Sequence, residues 1–223
     1  MLEKLRKAMK AADIDMLLIP SADPHGSEYP EEYFKARKHF SGFTGSAGTL
    51  LIWQGGAGLW TDGRYFLQAE RQLEGSGIDL FKMREPGVPT VDEFIAENIK
   101  GGVLGADLRT ISASEGMELE KGGAILKDCR SLIDGCWEGR PELSREPAYV
   151  LPMELAGVSS SDKLGAVRAE MEKEDAGVCI FTDLADIAWL FNIRGNDVKY
   201  LPVALSYAIV EKQKAYVFMD AAK

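Results

Sequence analysis

Apolar residues at Leu2, Leu5, Met9 and Ala12 recur at the three- and four-residue spacing of a helix with one buried face. Asp13 and Asp15 close that pattern, and Met16-Leu17-Leu18-Ile19 reads as a short strand buried on both faces. A polar loop from Pro20 to Pro30 follows, then a helix over 31–40 with Tyr33, Phe34 and Arg37 close together on its surface. Thr49 to Trp53 and Leu59 to Thr61 are strands of one hairpin. The intervening Gln54-Gly55-Gly56-Ala57-Gly58 supplies the positive φ that tight turns require. A helix is expected from about Arg64 to Leu73, and a strand from Ile78 to Met83. Thr90 caps a helix to Ile99, Val103 to Ala106 is a strand, and Ser112 caps a helix to about Glu120. A last strand is expected over Cys129 to Ile133. Helices alternating with short apolar strands, plus one glycine-turned hairpin, predict an α/β fold with a mixed sheet flanked by helices.

Between Gly139 and Ser161 the texture changes. Pro141, Pro147 and Pro152 punctuate an extended stretch that Ser159-Ser160-Ser161-Asp162 closes as a helix N-cap. Beyond it the opening pattern returns. Lys4–Ser21 laid on Ala166–Asp183 without gaps brings Arg6 onto Arg168, Met9 onto Met171 and Asp13 onto Asp175. A helix (Leu184 to Asn192), a glycine break at Gly195, and strands at Ala204 to Val210 and Ala215 to Met219 complete the correspondence. Any two α/β segments share some of this texture, but the shared order of elements favours a duplicated unit. The expected domains are therefore 1–140, a linker over 141–161, and 162–223 as the first part of a second copy. That second copy stops soon after its hairpin, at Asp220, where the first continues past Asp62. The expectation is a truncated second domain whose half sheet leaves an unpaired edge.

Charge narrows the partners. With 35 acidic and 26 basic residues the formal charge is -9, which argues against nucleic acid and anionic membrane surfaces. No apolar run approaches the ~20 residues of a bilayer helix, and the N-terminus lacks a secretion signal's apolar core. Three cysteines without metal-ligand spacing suit a reducing cytoplasm.

Candidate chemistry is sparse. With only two histidines, any imidazole scheme must use His25 or His39. His25, in a loop with Asp23 and Glu28, has the residues for a metal ligand or base, and equally for backbone hydrogen bonding. His39, at a helix end before glycine, suits a capping cation. The glycines of Gly42-Phe43-Thr44-Gly45-Ser46-Ala47-Gly48 follow a helix and lead into a strand. That is the reverse of a phosphate cradle, so helix termination and close packing account for them. Asp62 and Arg64 within Trp60-Thr61-Asp62-Gly63-Arg64-Tyr65-Phe66 pair structurally or meet a substrate. Arg194 either meets a carboxylate or is solvated.

Three stretches closely resemble the first domain of the long, three-domain aminopeptidase P family: Asp23-Pro24-His25-Gly26-Ser27-Glu28-Tyr29, Phe40-Ser41-Gly42-Phe43-Thr44-Gly45-Ser46-Ala47-Gly48, and Trp60 to Phe66. Asp186-Ile187-Ala188-Trp189-Leu190-Phe191-Asn192-Ile193-Arg194-Gly195, with Pro202 and Ser206-Tyr207-Ala208-Ile209, resembles that family's second domain. The resemblance implies two tandem creatinase-type N-terminal domains and a separate C-terminal pita-bread domain, outside this sequence. That domain would carry a two-metal site, usually manganese, for releasing an N-terminal residue that precedes proline. It implies that this chain alone holds no metal and cleaves no peptide. The chain would then contribute to a homodimer and to the walls of a substrate entrance. His25, Glu28, Tyr29, Asp62, Arg64 and Arg194 are the residues implied for those walls. A stand-alone binding module for a small ligand or protein is the other expectation.

Overall fold

Local signals in the sequence place most elements of the computed structural model, which describes all 223 residues. The opening amphipathic stretch is α1 (Leu2–Ala11), which buries Leu5 and Met9. It is followed by β1 (Met16–Pro20), α2 (Ala36–Ser41), the hairpin of β2 (Thr49–Trp53) and β3 (Gly56–Thr61), α3 (Phe66–Leu73) and β4 (Asp79–Lys82). Then come α4 (Val91–Ile99), β5 (Val103–Ala106), α5 (Ala113–Lys121), β6 (Ile125–Asp128) and α6 (Arg130–Cys136). Thr90 and Ser112 each form a full capping box with the glutamate three residues on, Glu93 and Glu115, so both helices start where their sequence says.

Three expectations for the first unit need correction. The hairpin turn is only Gln54–Gly55, with the return strand already begun at Gly56, and none of Gly55, Gly56 and Gly58 has a positive φ. The helix over 31–40 is broken: a single 3-10 turn spans Glu32–Phe34, and α2 begins only after the non-helical Lys35. Arg37 consequently points into the protein rather than lying on a helix surface with Tyr33 and Phe34. The strand over Cys129 to Ile133 is instead the start of α6. Cys129, Ile133 and Cys136 are all buried in the same core, and spacings of four then three mark one helical face. The true last strand, β6, lies on the sheet edge and is mostly exposed, so it carries little apolar signal.

The first unit comprises residues 1–24 and 33–141. Its six strands run in the order β4-β3-β2-β1-β5-β6. Only β2 is antiparallel to its neighbours; β1, β5 and β6 pair in parallel, as do β3 and β4. One face packs residues of α1, α2, α3 and α6 (Leu5, Met9, Phe40, Ala69, Ile133) against Leu17, Leu50 and Leu59. The opposite face packs Ile95, Ile99 and Leu119 of α4 and α5 against Met16, Leu18, Leu51 and Trp60. Strand β1 therefore buries alternate side chains on both faces, as its continuous apolar run requires. Trp60 is fully buried, stacks on Phe81 at 3.9 Å and donates its indole N–H to the Pro89 carbonyl.

The second unit comprises residues 25–32 and 142–223. It holds β7 (Tyr149–Val150), α7 (Met153–Ala156), α8 (Ser160–Lys173), β8 (Val178–Phe181), α9 (Leu184–Leu190), β9 (Ile193–Arg194), β10 (Ser206–Glu211) and β11 (Ala215–Met219). The stretch 141–161, expected as linker, is thus partly regular: β7 pairs with β9, and α7 follows. Pairing to a strand more than forty positions away leaves no local signature in a proline-punctuated segment. The remaining sheet is β11-β10-β8, wholly antiparallel. No helix of the chain is long and apolar enough to cross a membrane.

The two units repeat each other down to individual hydrogen bonds. Arg6 Nε donates to the Trp53 carbonyl at 3.1 Å, and Arg168 Nε donates to the Glu211 carbonyl at 2.9 Å. Trp53 pairs with Met16 of β1 as Glu211 pairs with Val178 of β8. Each opening helix ends in an aspartate at positive φ, Asp13 at 52° and Asp175 at 49°. The residue after each aspartate returns its N–H to the matching methionine carbonyl, Ile14 to Met9 and Ala176 to Met171.

Candidate functional site

The glycine-rich segment 42–48 and the Asp62–Phe66 turn form one assembly in the first unit, with Arg37 at its centre. Gly42 ends α2 at φ 73°, a left-handed position that suits glycine. A Cβ on Gly45 would fall 2.3 Å from the Phe43 ring, so this backbone passes the aromatic too closely for any side chain. The sequence reading of these glycines as termination and close packing therefore holds.

Arg37 is buried and organises the loop through carbonyls. Its guanidinium donates to Ser21 Oγ at 2.8 Å and to the Phe43 and Gly45 carbonyls at 2.5 Å each. Ser21 Oγ in turn donates to the Gly48 carbonyl, and Ser41 Oγ to the Arg37 carbonyl. Burial pulls the Arg37 pKa down to about 10, because a desolvated cation is disfavoured. The far side of the loop is tied to the next turn. Thr61 Oγ1 donates to the Ala47 carbonyl, Ser46 Oγ and Tyr65 Oη share a 2.7 Å hydrogen bond, and the Thr44 N–H donates to Gln72. Sequence reasoning missed Arg37 because its partners are backbone carbonyls, which no side-chain pattern encodes.

On this rigid base sits the exposed Asp62–Arg64 pair. Arg64 Nε and Nη2 reach Asp62 Oδ1 and Oδ2 at 2.9 and 2.8 Å, a bidentate fork. The hydrogen bonds from Arg64 hold the Asp62 carboxyl below its usual pKa, so the pair is ionised at neutral pH. The Arg64 guanidinium lies over the Tyr65 ring, 5.3 Å from its centroid, and faces solvent. The same Asp-x-Arg clasp recurs at Asp107 and Arg109, beyond the end of β5.

In the second unit, His25 stacks on Tyr207 with centroids 4.4 Å apart, and its Nδ1 lies 3.0 Å from the Thr182 carbonyl. Glu28 and Tyr29 follow on the same segment, both exposed. Arg194 Nη1 donates to the Ala188 and Ile193 carbonyls and so caps the end of α9. Beneath it lies Lys163, which no sequence feature singled out. Its buried ammonium donates to the Trp189 carbonyl at 2.8 Å and to Asn192 Oδ1 at 2.6 Å, and sits 4.5 Å from the Trp189 ring centroid. The structure thus pairs Asp62 with Arg64 in one unit and places His25, Glu28, Tyr29 and Arg194 in the other.

No three His, Cys, Asp or Glu side chains of this chain converge to hold a metal ion; the two-metal site that the resemblance implies is assigned to a different domain. His39 stacks on Trp137 at 4.5 Å with rings 12° apart, and burial pushes its pKa below the usual imidazole value. A neutral ring against an indole corrects the expectation of a capping cation. Because the folded protein favours neutral His39, the unfolded chain binds more protons once the pH falls below ~6.5, and stability declines there. His39→Phe is expected to reduce the loss of Tm between pH 7.5 and pH 5.5 by ~1–2 °C. An unchanged pH profile by differential scanning fluorimetry would remove this role.

Residues 1–136 and 139–223 each match a family model described as creatinase/prolidase N-terminal domain. The chain is 41% identical over 229 residues to a probable Xaa-Pro aminopeptidase P of Coccidioides posadasii, covering all of this chain and 37% of that protein. It is 40% identical over 223 residues to aminopeptidase P1 of Lotus japonicus, covering 97% of this chain and 33% of that one. The X-prolyl aminopeptidase of Caenorhabditis elegans, described as a cytosolic enzyme with a di-nuclear active site, superposes on the whole chain. The TM-score is 0.91 at 33% identity, over 39% of the worm protein. The chain therefore spans between 33% and 39% of the length of these relatives. With one such match in each structural unit, the chain belongs to the creatinase/prolidase N-terminal domain family.

Proposed function

We propose that this chain is the non-catalytic N-terminal part of a metal-dependent Xaa-Pro aminopeptidase. In this reading the two units help the enzyme dimerise and wall the entrance through which a proline-containing peptide reaches a catalytic domain. His25, Glu28, Tyr29, Asp62, Arg64 and Arg194 supply the polar face of that wall. One observation carries the proposal: end-to-end similarity to aminopeptidase P proteins over roughly a third of their length, in a stretch where no metal-binding cluster forms. The two-metal chemistry, with manganese the metal expected, belongs to the part of the longer protein outside this sequence. The cytosolic setting described for the worm relative supports the same compartment here. An ionised Arg64, clasped by Asp62 over a loop fixed by Arg37, supports a contact with a peptide carbonyl or carboxylate.

The test is enzymatic. Residues 1–223, supplied with manganese, should not hydrolyse an Xaa-Pro-Xaa tripeptide, whereas the protein from the full reading frame should. Arg64→Ala in that longer protein should raise KM several-fold with less change in kcat, as loss of a binding contact does. Turnover by residues 1–223 alone would overturn the reading. So would an inactive full-length protein.

A further inference from the structure

Aspartate is followed by glycine at two places in the chain, Asp62-Gly63 and Asp134-Gly135. Such junctions are the ones most open to backbone rearrangement. Glycine has no side chain to hinder attack by its own nitrogen, and it allows the φ, ψ swing that the attack needs. The two junctions are held differently. Asp134 and Gly135 lie inside α6, whose regular backbone fixes both residues. Asp62 and Gly63 lie between β3 and α3, in a turn closed by the Tyr65 N–H on the Asp62 carbonyl at 3.0 Å. Gly63 is exposed, and a Cβ built on it would meet only the Phe66 ring, at 3.9 Å, so its surroundings leave it room to move. What restrains this junction is the Asp62 side chain. Its Oδ1 accepts the Arg64 N–H at 3.1 Å and Arg64 Nε at 2.9 Å, and its Oδ2 accepts Arg64 Nη2 at 2.8 Å. An Asx turn and a guanidinium fork thus engage both carboxylate oxygens.

We infer that Asp62-Gly63 is a latent isoaspartate site that Arg64 keeps shut. The modification needs a protonated Asp62 carboxyl whose Cγ is free to swing onto the Gly63 nitrogen. That nitrogen adds to Cγ, and the carboxyl hydroxyl leaves as water with the amide proton, closing a succinimide ring. Water then reopens the ring. Opening at the Asp62 backbone carbonyl leaves the chain running through Cβ and Cγ, which is isoaspartate. One water leaves and one enters, and nothing is oxidised or reduced. Arg64 opposes both requirements. Its hydrogen bonds and charge hold the carboxyl ionised, without a hydroxyl to lose. Its three contacts also fix the side chain away from free rotation. After isomerisation the carboxylate sits directly on Cα, and the fork with Arg64 cannot re-form in its original geometry. Asp107 and Arg109 provide a contrast, since the same clasp there encloses Leu108, whose side chain hinders ring closure. The chemistry involves this chain alone and is independent of its being part of a peptidase.

The test is to age residues 1–223 and their Arg64→Ala variant side by side at neutral pH. Isoaspartate is then located by peptide mapping, as pairs of equal mass that separate on chromatography, and counted by isoaspartyl methyltransferase labelling. The Arg64 side chain is 63% exposed, so the variant should fold as the parent does. Isoaspartate at Asp62 should accumulate several-fold faster in Arg64→Ala than in the parent, while the rate at Asp134 stays the same in both. Adding Gly63→Ala, whose methyl group the open space there accepts, should silence the site even without Arg64. Arg109→Ala should produce no isoaspartate at Asp107. Equal rates at Asp62 with and without Arg64 would overturn the inference. So would a parallel rise at Asp134, which would mean that the whole unit had loosened and that the clasp guards nothing in particular. Xaa-Pro hydrolysis by the longer protein has no bearing on either result, so this inference and the functional reading stand or fall separately.

Discussion

Arg37→Leu should destabilise the first unit by ~2–4 kcal/mol. The substitution strips donors from the Phe43 and Gly45 carbonyls and from Ser21 Oγ, all within a packed loop. An orphaned buried acceptor costs ~1–3 kcal/mol. The leucine recovers part of this, because the guanidinium is itself held at a desolvation cost that its lowered pKa records. Arg37→Lys keeps the charge but cannot span three acceptors with a planar fork, so it should fall between the wild type and leucine. The measurement is urea unfolding followed by tryptophan fluorescence in a Trp189→Phe background. Trp53, Trp60 and Trp137 then report the first unit alone. Hydrogen exchange across 42–48 should accelerate before the rest of the unit opens. Arg37→Leu within ~0.5 kcal/mol of wild type would show that water replaces the lost donors and that the loop stands without its central cation.

Asp197→Ala should cost the second unit ~3 kcal/mol. Asp197 and Lys223 form a pair whose side chains are almost wholly buried, with Oδ1 2.5 Å from Nζ. Asp197 Oδ2 also accepts the Leu205 N–H at 2.6 Å, and the Asp197 N–H donates to the Val203 carbonyl. Removing one member leaves a buried ammonium without its counter-charge, which typically costs ~3–5 kcal/mol. Release of Lys223 to solvent lowers that figure. The double variant Asp197→Ala/Lys223→Met should regain at least ~1 kcal/mol, since no lone charge is left behind. Limited proteolysis between 195 and 205 and Trp189 emission read this unit. A double variant no better than the single one would mean that the Leu205 bond, not the ion pair, holds the segment.

Several features were legible residue by residue. Ser112 and Thr90, each with glutamate three positions on, fixed two helix starts because a capping box is closed within four consecutive residues. The spacing of Leu5 and Met9, and the apolar run from Met16, declared a buried helix face and a strand covered on both sides. The gapless match of Arg6 with Arg168 and Asp13 with Asp175 disclosed a duplication that the structure repeats in the matching arginine hydrogen bonds and positive-φ aspartates. Of the candidate site, the Asp62–Arg64 clasp was open to inference as an i, i+2 pair of opposite charge. Cys129 to Ile133 misled, because five residues of mixed polarity suit a strand or a helix until Cys136 completes the face.

Local order and periodicity, then, were determined by the sequence itself: most of the helices and strands, that the unit occurs twice, and that the chain is acidic and of mixed α/β type. Contacts between distant residues that carry no pairing code were decided only in three dimensions. Arg37 turns inward onto carbonyls of a loop, Lys163 caps α9 from another helix, and His25 stacks on Tyr207 far along the chain. Backbone carbonyls and ring faces are common to nearly every sequence. Their choice of partner is settled by the burial of the surrounding core, not by the residues flanking them.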